Sequence, residues 1–78
     1  MLPDLDPAVR AASEEIGKKL KEARLKAGLS QKTLAERIGM TRTSYARIEK
    51  GQTNVTIDSL VRIAEGLGMD LIVSFSQP

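Results

Sequence analysis

The sequence predicts an all-α fold, a compact bundle of four to five short helices closed by a short C-terminal strand, and three observations lead to it. Apolar residues recur at three- and four-residue steps along most of the chain. Ser, Thr or Asp repeatedly stands just before such a run and Gly just after it, the pattern of helices that start and stop under local control. The last ten residues, MDLIVSFSQP, leave that period for alternation among β-branched and aromatic residues.

Each element follows from its own signals. Asp6 and Pro7 form an N-cap and first-turn pair, and Val9, Ala12, Ile16, Leu20, Ala23 and Ala27 then trace one face of a helix that ends at Gly28. Gly17 weakens that helix, so the pattern leaves open whether it runs unbroken from residue 7 or restarts near Ser13. Ser30 caps a second helix that runs to about Arg37, with Leu34, Ala35 and Ile38 as its apolar face and a break at Gly39 and Met40. Thr41 caps a third, which ends at Lys50 with Gly51 in the left-handed conformation. QTNV at 52–55 is a loop. Thr56 then caps a fourth helix, with Asp58 in the first turn, Leu60, Ile63, Ala64 and Leu67 on the buried side, and Gly68 at its end. No repeat, low-complexity tract or linker interrupts the 78 residues, which read as one domain, 1–78.

Composition narrows the function. With 41% apolar residues, one Phe, one Tyr and no Trp, the core is aliphatic and modest in size, a case in which self-association commonly helps. The absence of Cys and His removes disulfides, thiol chemistry, most zinc and haem sites and the commonest general base. An enzyme, a metal site and a cofactor are therefore not expected. No apolar run has membrane-spanning length, and MLPDLDPAVR lacks the regions of a signal peptide, so the expectation is a soluble cytoplasmic protein.

The net charge of +2 hides a strong division. Residues 1–16 carry -3 and residues 51–78 carry -2, whereas 17–50 hold ten Lys and Arg against three Glu, +7. Nearly all the positive charge lies in the segment that contains the second and third helices, which points to a polyanionic partner. At about 100 degrees per residue from Thr41, the residues Ser44, Tyr45 and Ile48 fall on one arc, and Arg42, Thr43, Ala46, Arg47 and Lys50 on the opposite one. One side of the third helix packs against the second, whose small Ala35 allows close approach and whose Gly39 permits a sharp turn. The other side presents two Arg, a Thr and a Lys to solvent, a shape suited to a DNA major groove.

The segment 16–68 closely resembles the helix-turn-helix of the lambda-repressor-like, or XRE, family of bacterial and phage regulators. The resemblance rests on several features at fixed spacing: Ile16, Leu20 and Arg24 on the first helix, GLSQ at 28–31, LA at 34–35, IG at 38–39 and RIEKG at 47–51, with the motif itself at 30–51. It implies a double-stranded DNA partner. Base edges would be met by Thr41, Arg42, Thr43 and Arg47, and phosphates by Ser30, Gln31, Lys50, Gln52 and Asn54. It also implies an inward ion pair between Arg24 and Glu49 that anchors the reading helix. Tyr45 departs from the family, where an aliphatic residue is usual, and is expected in the core.

The resemblance implies a sequence-specific transcriptional regulator, a repressor in the first reading. Two alternatives share the motif: an antitoxin that neutralises a toxin protein and regulates its own operon, and a controller protein of a restriction-modification system. Residues 69–76 bear on assembly. Leu71, Val73 and Phe75 alternate with Ile72 and Ser74, and the rest of the chain offers no second strand for them to pair with. The same segment of another copy is the simplest partner, giving a homodimer with Leu71, Val73 and Phe75 at its interface and an inverted-repeat operator. A fifth helix or a frayed tail is the rival reading of this segment.

Overall fold

A computed structural model describes residues 6–78. Residues 1–5, part of the acidic N-terminal segment and of the stretch read against a signal peptide, lie outside the described residues. Four helices form: α1 (Pro7–Lys26), α2 (Gln31–Arg37), α3 (Arg42–Glu49) and α4 (Ile57–Gly66). Their starts follow the capping logic. Asp6 accepts a bond from the Ala8 N–H at 2.8 Å, and the hydroxyls of Ser30, Thr41 and Thr56 accept from the N–H groups of Thr33, Ser44 and Ser59. Each of these satisfies a backbone donor that the helix itself leaves unpaired.

The ambiguity over α1 resolves in favour of one unbroken helix of 20 residues. Its first two turns project from the body, with residues 7–12 all exposed, so Val9 and Ala12 lie on the helix face traced by their spacing but outside the core. From Ser13 onward the helix lies against α3, and Gly17 is the point of nearest approach. A Cβ on Gly17 would stand 2.3 Å from the Glu49 carbonyl oxygen and 2.7 Å from that of Ile48. The residue that seemed to weaken the helix is therefore what lets α1 cross the end of α3. Gly51 works alongside it: φ is +70°, and a side chain there would collide with the backbone of Glu14.

The core consists of Leu34, Ala35 and Ile38 from α2, Tyr45 and Ile48 from α3, and Ile63 from α4, ringed by Leu20, Leu29, Met40, Val55 and Leu67. The sharp α2–α3 turn passes through Gly39 at φ +72°, and the Met40 N–H donates back to the Ala35 carbonyl. On α4, Ile63 is fully buried, while Leu60, Ala64 and Leu67 are only half covered.

One expectation is corrected here, and the C-terminal strand is not seen in the single chain. Ser44, assigned by angle to the packed side of α3, is exposed, because it sits in the first turn and is bound to the Thr41 cap rather than to the core. The C-terminal segment forms neither a fifth helix nor a strand within the single chain. After the Met69 N–H bonds to the Ala64 carbonyl, residues 70–78 have no backbone partner among the described residues. Gly68, at φ +69°, ends the helix, and an extended segment has nothing in its own chain to form a ladder with.

Candidate nucleic-acid interface

The outer side of α3 is a short polar and basic surface. Thr41, Arg42, Thr43, Arg47 and Lys50 are all exposed, as is Ser44, while Ala46 is half-buried. The Thr41 hydroxyl accepts from the Ser44 N–H at 3.1 Å and lies 2.9 Å from the Ser44 hydroxyl, so it serves as a helix cap as well as part of the surface. Arg47 and Ser44 line an open hollow between α3 and the loop to α4, and Asn54 forms its far wall. Arg47 and Asn54, expected on base edges and phosphate respectively, are thereby brought to one place. Gln52 is half-buried and its N–H bonds to the Arg47 carbonyl at 3.0 Å, which holds the loop to the end of α3.

Ser30 is exposed at the start of α2, its hydroxyl accepting from the Thr33 N–H. Gln31 is different. It is half-buried, and its side-chain amide donates to Glu49 Oε1 at 3.0 Å. The side chain expected on a phosphate is thus held from within, and what it offers outward at the α2 start is chiefly the backbone N–H of a helix N-terminus.

Inside, a polar cluster fastens α3 to α1 and α2. Arg24 Nε donates to Glu49 Oε2 at 2.6 Å and a second guanidinium nitrogen donates to Oε1 at 3.2 Å, with the two side chains only 8% and 3% exposed. The third guanidinium nitrogen donates to the Leu29 carbonyl at 2.8 Å. The Tyr45 hydroxyl donates to Glu49 Oε2 at 2.5 Å. Glu49 therefore receives four bonds, and no buried side-chain polar atom among the described residues lacks a partner. This completeness matters, since a buried ion pair offsets its desolvation only when its remaining lone pairs and protons are occupied.

The electrostatics follow from these contacts. For Glu49, burial favours the neutral acid, but the bonds from Arg24, Tyr45 and Gln31 outweigh it, and the carboxyl pKa falls below its ordinary value of 4.5. Arg24 is driven further into its charged form, chiefly by its bond to Glu49. The Tyr45 phenol moves well above its ordinary value of 10.0, first because it is buried and then because it donates to an anion. Sequence reading placed Tyr45 in the core but missed its hydroxyl as a member of this cluster. The available signal was the four-residue step from Tyr45 to Glu49, which puts both on one helix face.

Among the described residues no group of His, Cys, Asp or Glu could hold a metal ion, and no helix is long and apolar enough to cross a membrane.

This framework of a capped α2, a glycine turn and an α3 with a polar outer face is that of a helix-turn-helix protein, and the family model described as "Helix-turn-helix" matches residues 20–73. The chain belongs to that family, in its XRE-type branch. It is 44% identical over 61 residues to control protein C.MunI of Mycoplasma sp, covering 77% of this chain and 82% of that protein. To the HTH-type transcriptional regulator PuuR of Escherichia coli (strain K12) it is 36% identical over 62 residues, which cover 80% of this chain but only 34% of PuuR. Among solved structures it is similar to the restriction-modification controller protein C.AhdI from Aeromonas hydrophila, with a TM-score of 0.76, 34% identity, and coverage of 78% of this chain and 88% of that one. The match thus spans most of the two control proteins and about a third of PuuR.

Proposed function

We propose that this helix-turn-helix regulator binds double-stranded DNA by inserting α3 in the major groove, with Thr41, Arg42, Thr43 and Arg47 toward base edges. Ser30, Gln31, Lys50, Gln52 and Asn54 lie toward the flanking phosphates. The observation that carries this reading is the two-sidedness of α3: every long side chain on its outer surface is free and polar or basic, while Tyr45, Ile48 and Glu49 hold the helix from behind. Such a helix presents charge to a polyanion without using it for folding. Two copies acting about a two-fold axis would read an inverted repeat with half-sites one duplex turn apart. Selection of bound sequences from a random duplex pool tests this. The expected product is a single inverted repeat, and a pool that shows no enriched sequence would refute the reading.

Within the regulators, a controller of a restriction-modification operon is favoured by the likeness to C.MunI and C.AhdI over most of their lengths. The antitoxin alternative has a likeness of fold alone behind it. A reporter fused to the DNA upstream of this gene tests the controller reading. Its output should change with the protein's concentration, and the adjoining gene should encode a restriction endonuclease or methyltransferase. An unresponsive promoter would remove it.

A further inference from the structure

The residues beyond α4 are apolar and largely uncovered. Met69 is 54% exposed, Ile72 86%, Val73 65% and Phe75, the only Phe in the chain, 97%. Where this tail leaves α4, Met69, Asp70 and Leu71 lie over the seam between α1 and α4, with a hollow on each side of them. The hollow toward α1 is walled by Leu20, Ala23, Leu60, Ala64 and Leu67, with Lys19 at its rim, and its lining is almost wholly apolar. The other hollow continues across α4 to Val61 and Glu65. Leu71 borders both.

From these features we infer that the hollow between α1 and α4 receives Phe75 of a second copy of this chain, carried there by an antiparallel ribbon of the two tails centred on Val73. This inference rests on the homodimer reading above and specifies its interface. The register follows from the pleat. Leu71, Val73 and Phe75 share one face, and a two-fold axis at Val73 sets Leu71 of one copy opposite Phe75 of the other. Since Leu71 already borders the hollow, the opposing ring falls into it. Ile72 and the two serines, Ser74 and Ser76, take the outer face.

Three further observations support a second copy as the occupant. Residues 71–78 carry no charged side chain, so seating them in an apolar hollow strands no charge. The unpaired backbone of 70–78 gains partners from an identical segment, which a globular partner without a strand edge would not supply. Beside the tail, Val61 and Ile57 on α4 are also exposed apolar residues, so a second copy covers apolar surface on α4 as well as on the tail.

The test uses the full chain, which contains no Cys. Sedimentation should give a dimer at tens of micromolar. Phe75→Ala should weaken it at least about a hundredfold, because each dimer buries the ring twice, without changing the helical content of the monomer. Val73→Cys, facing its own counterpart across the axis, should form a disulfide-linked dimer under mild oxidation, whereas Leu25→Cys, exposed on the far side of α1, should not. An intact dimer for Phe75→Ala, with Val73→Cys no faster to link than Leu25→Cys, overturns the ribbon and leaves the homodimer reading standing. A chain that is monomeric both alone and on its DNA overturns both. A monomer that Phe75→Ala destabilises would mean that the ring fills its own chain's hollow, which also overturns the inference.

Discussion

Replacing Glu49 by Ala should be among the most damaging single changes outside the aliphatic core, and the reason is what it leaves behind. Glu49 accepts two bonds from Arg24, one from Gln31 and one from Tyr45. Its loss strands a guanidinium whose side chain is 8% exposed, together with a buried phenol. Breaking a buried pair from one side costs about 3 to 5 kcal/mol. A chain of 78 residues has in total only about 4 to 12 kcal/mol of stability, so this variant should be marginal or unfolded. Urea denaturation followed by far-ultraviolet circular dichroism measures it. With an m-value of about 1 kcal/mol/M, the midpoint should fall by about 3 M or more, whereas Glu36→Ala, at an exposed position on α2, should stay within about 0.5 kcal/mol of the parent. Removing both charges separates stranding from packing: Arg24→Leu with Glu49→Leu should recover much of the loss, since no lone charge remains buried. Equal midpoints for Glu49→Ala and Glu36→Ala would refute the reasoning, as would a double variant no better than the single one.

Other consequences can be checked alongside. Because the Glu49 carboxyl lies below its ordinary 4.5, its contribution is present above that pH and is lost as pH falls through the folded value, so Glu49→Gln should flatten the acid limb of a stability-versus-pH curve; an unchanged limb would contradict this. The raised phenol of Tyr45 contributes below pH 10.0 and loses that contribution as pH rises through the folded value. As Tyr45 is the only Tyr, its phenolate absorbance should appear late and together with unfolding, and ordinary titration with the fold intact would be inconsistent with its burial. Gly17→Ala, which would favour an isolated helix by about 1 kcal/mol, should instead destabilise by about 1 to 3 kcal/mol because the new methyl meets backbone atoms of α3. Gly66→Ala, which meets only side-chain atoms of Ile38 and Leu34, should be milder; a more stable Gly17→Ala would show the two helices to be farther apart. Arg42→Ala or Arg47→Ala should cost about 1 to 3 kcal/mol in DNA binding and relax one position of the site, while Lys50→Ala should weaken all sequences alike and lower the salt dependence; a double Arg variant with full affinity and preference would discount the α3 face.

The legible part of this fold was the part written in local chemistry. Ser30, Thr41 and Thr56 mark helix starts because a hydroxyl can satisfy an orphan N–H only from that position, and Gly39 and Gly51 mark ends because few other residues adopt positive φ there. Such rules act within a few residues and are read directly. The role of Gly17 was not legible because its reason lies in α3, more than 30 positions away, and propensity sees only the helix that contains it. Ser44 was misplaced for a related cause: an angular projection treats the first turn like the middle of a helix, although its side chains project beyond the end of the packed surface. The tail was the least legible, since a strand is defined by its partner, and the sequence of one chain states only that Leu71, Val73 and Phe75 share a face.

The candidate site shows why these long-range contacts matter for function. An eight-residue helix such as α3 is too short to persist alone, as isolated helices below about 12 to 15 residues are marginal in water. Its existence therefore depends on Tyr45, Ile48 and Glu49 within it, on the Gly17 crossing, and on Arg24 and Gln31 from its neighbours. All of these act from behind or at the end of the helix. Arg42, Thr43 and Arg47 make no side-chain hydrogen bond or ion pair within the described chain that the helix needs in order to stand. Stability and readout are thus carried by different sides of the same two turns. Substitutions on the outer side can alter which bases are met without unfolding the helix, and substitutions on the inner side can abolish binding without touching DNA.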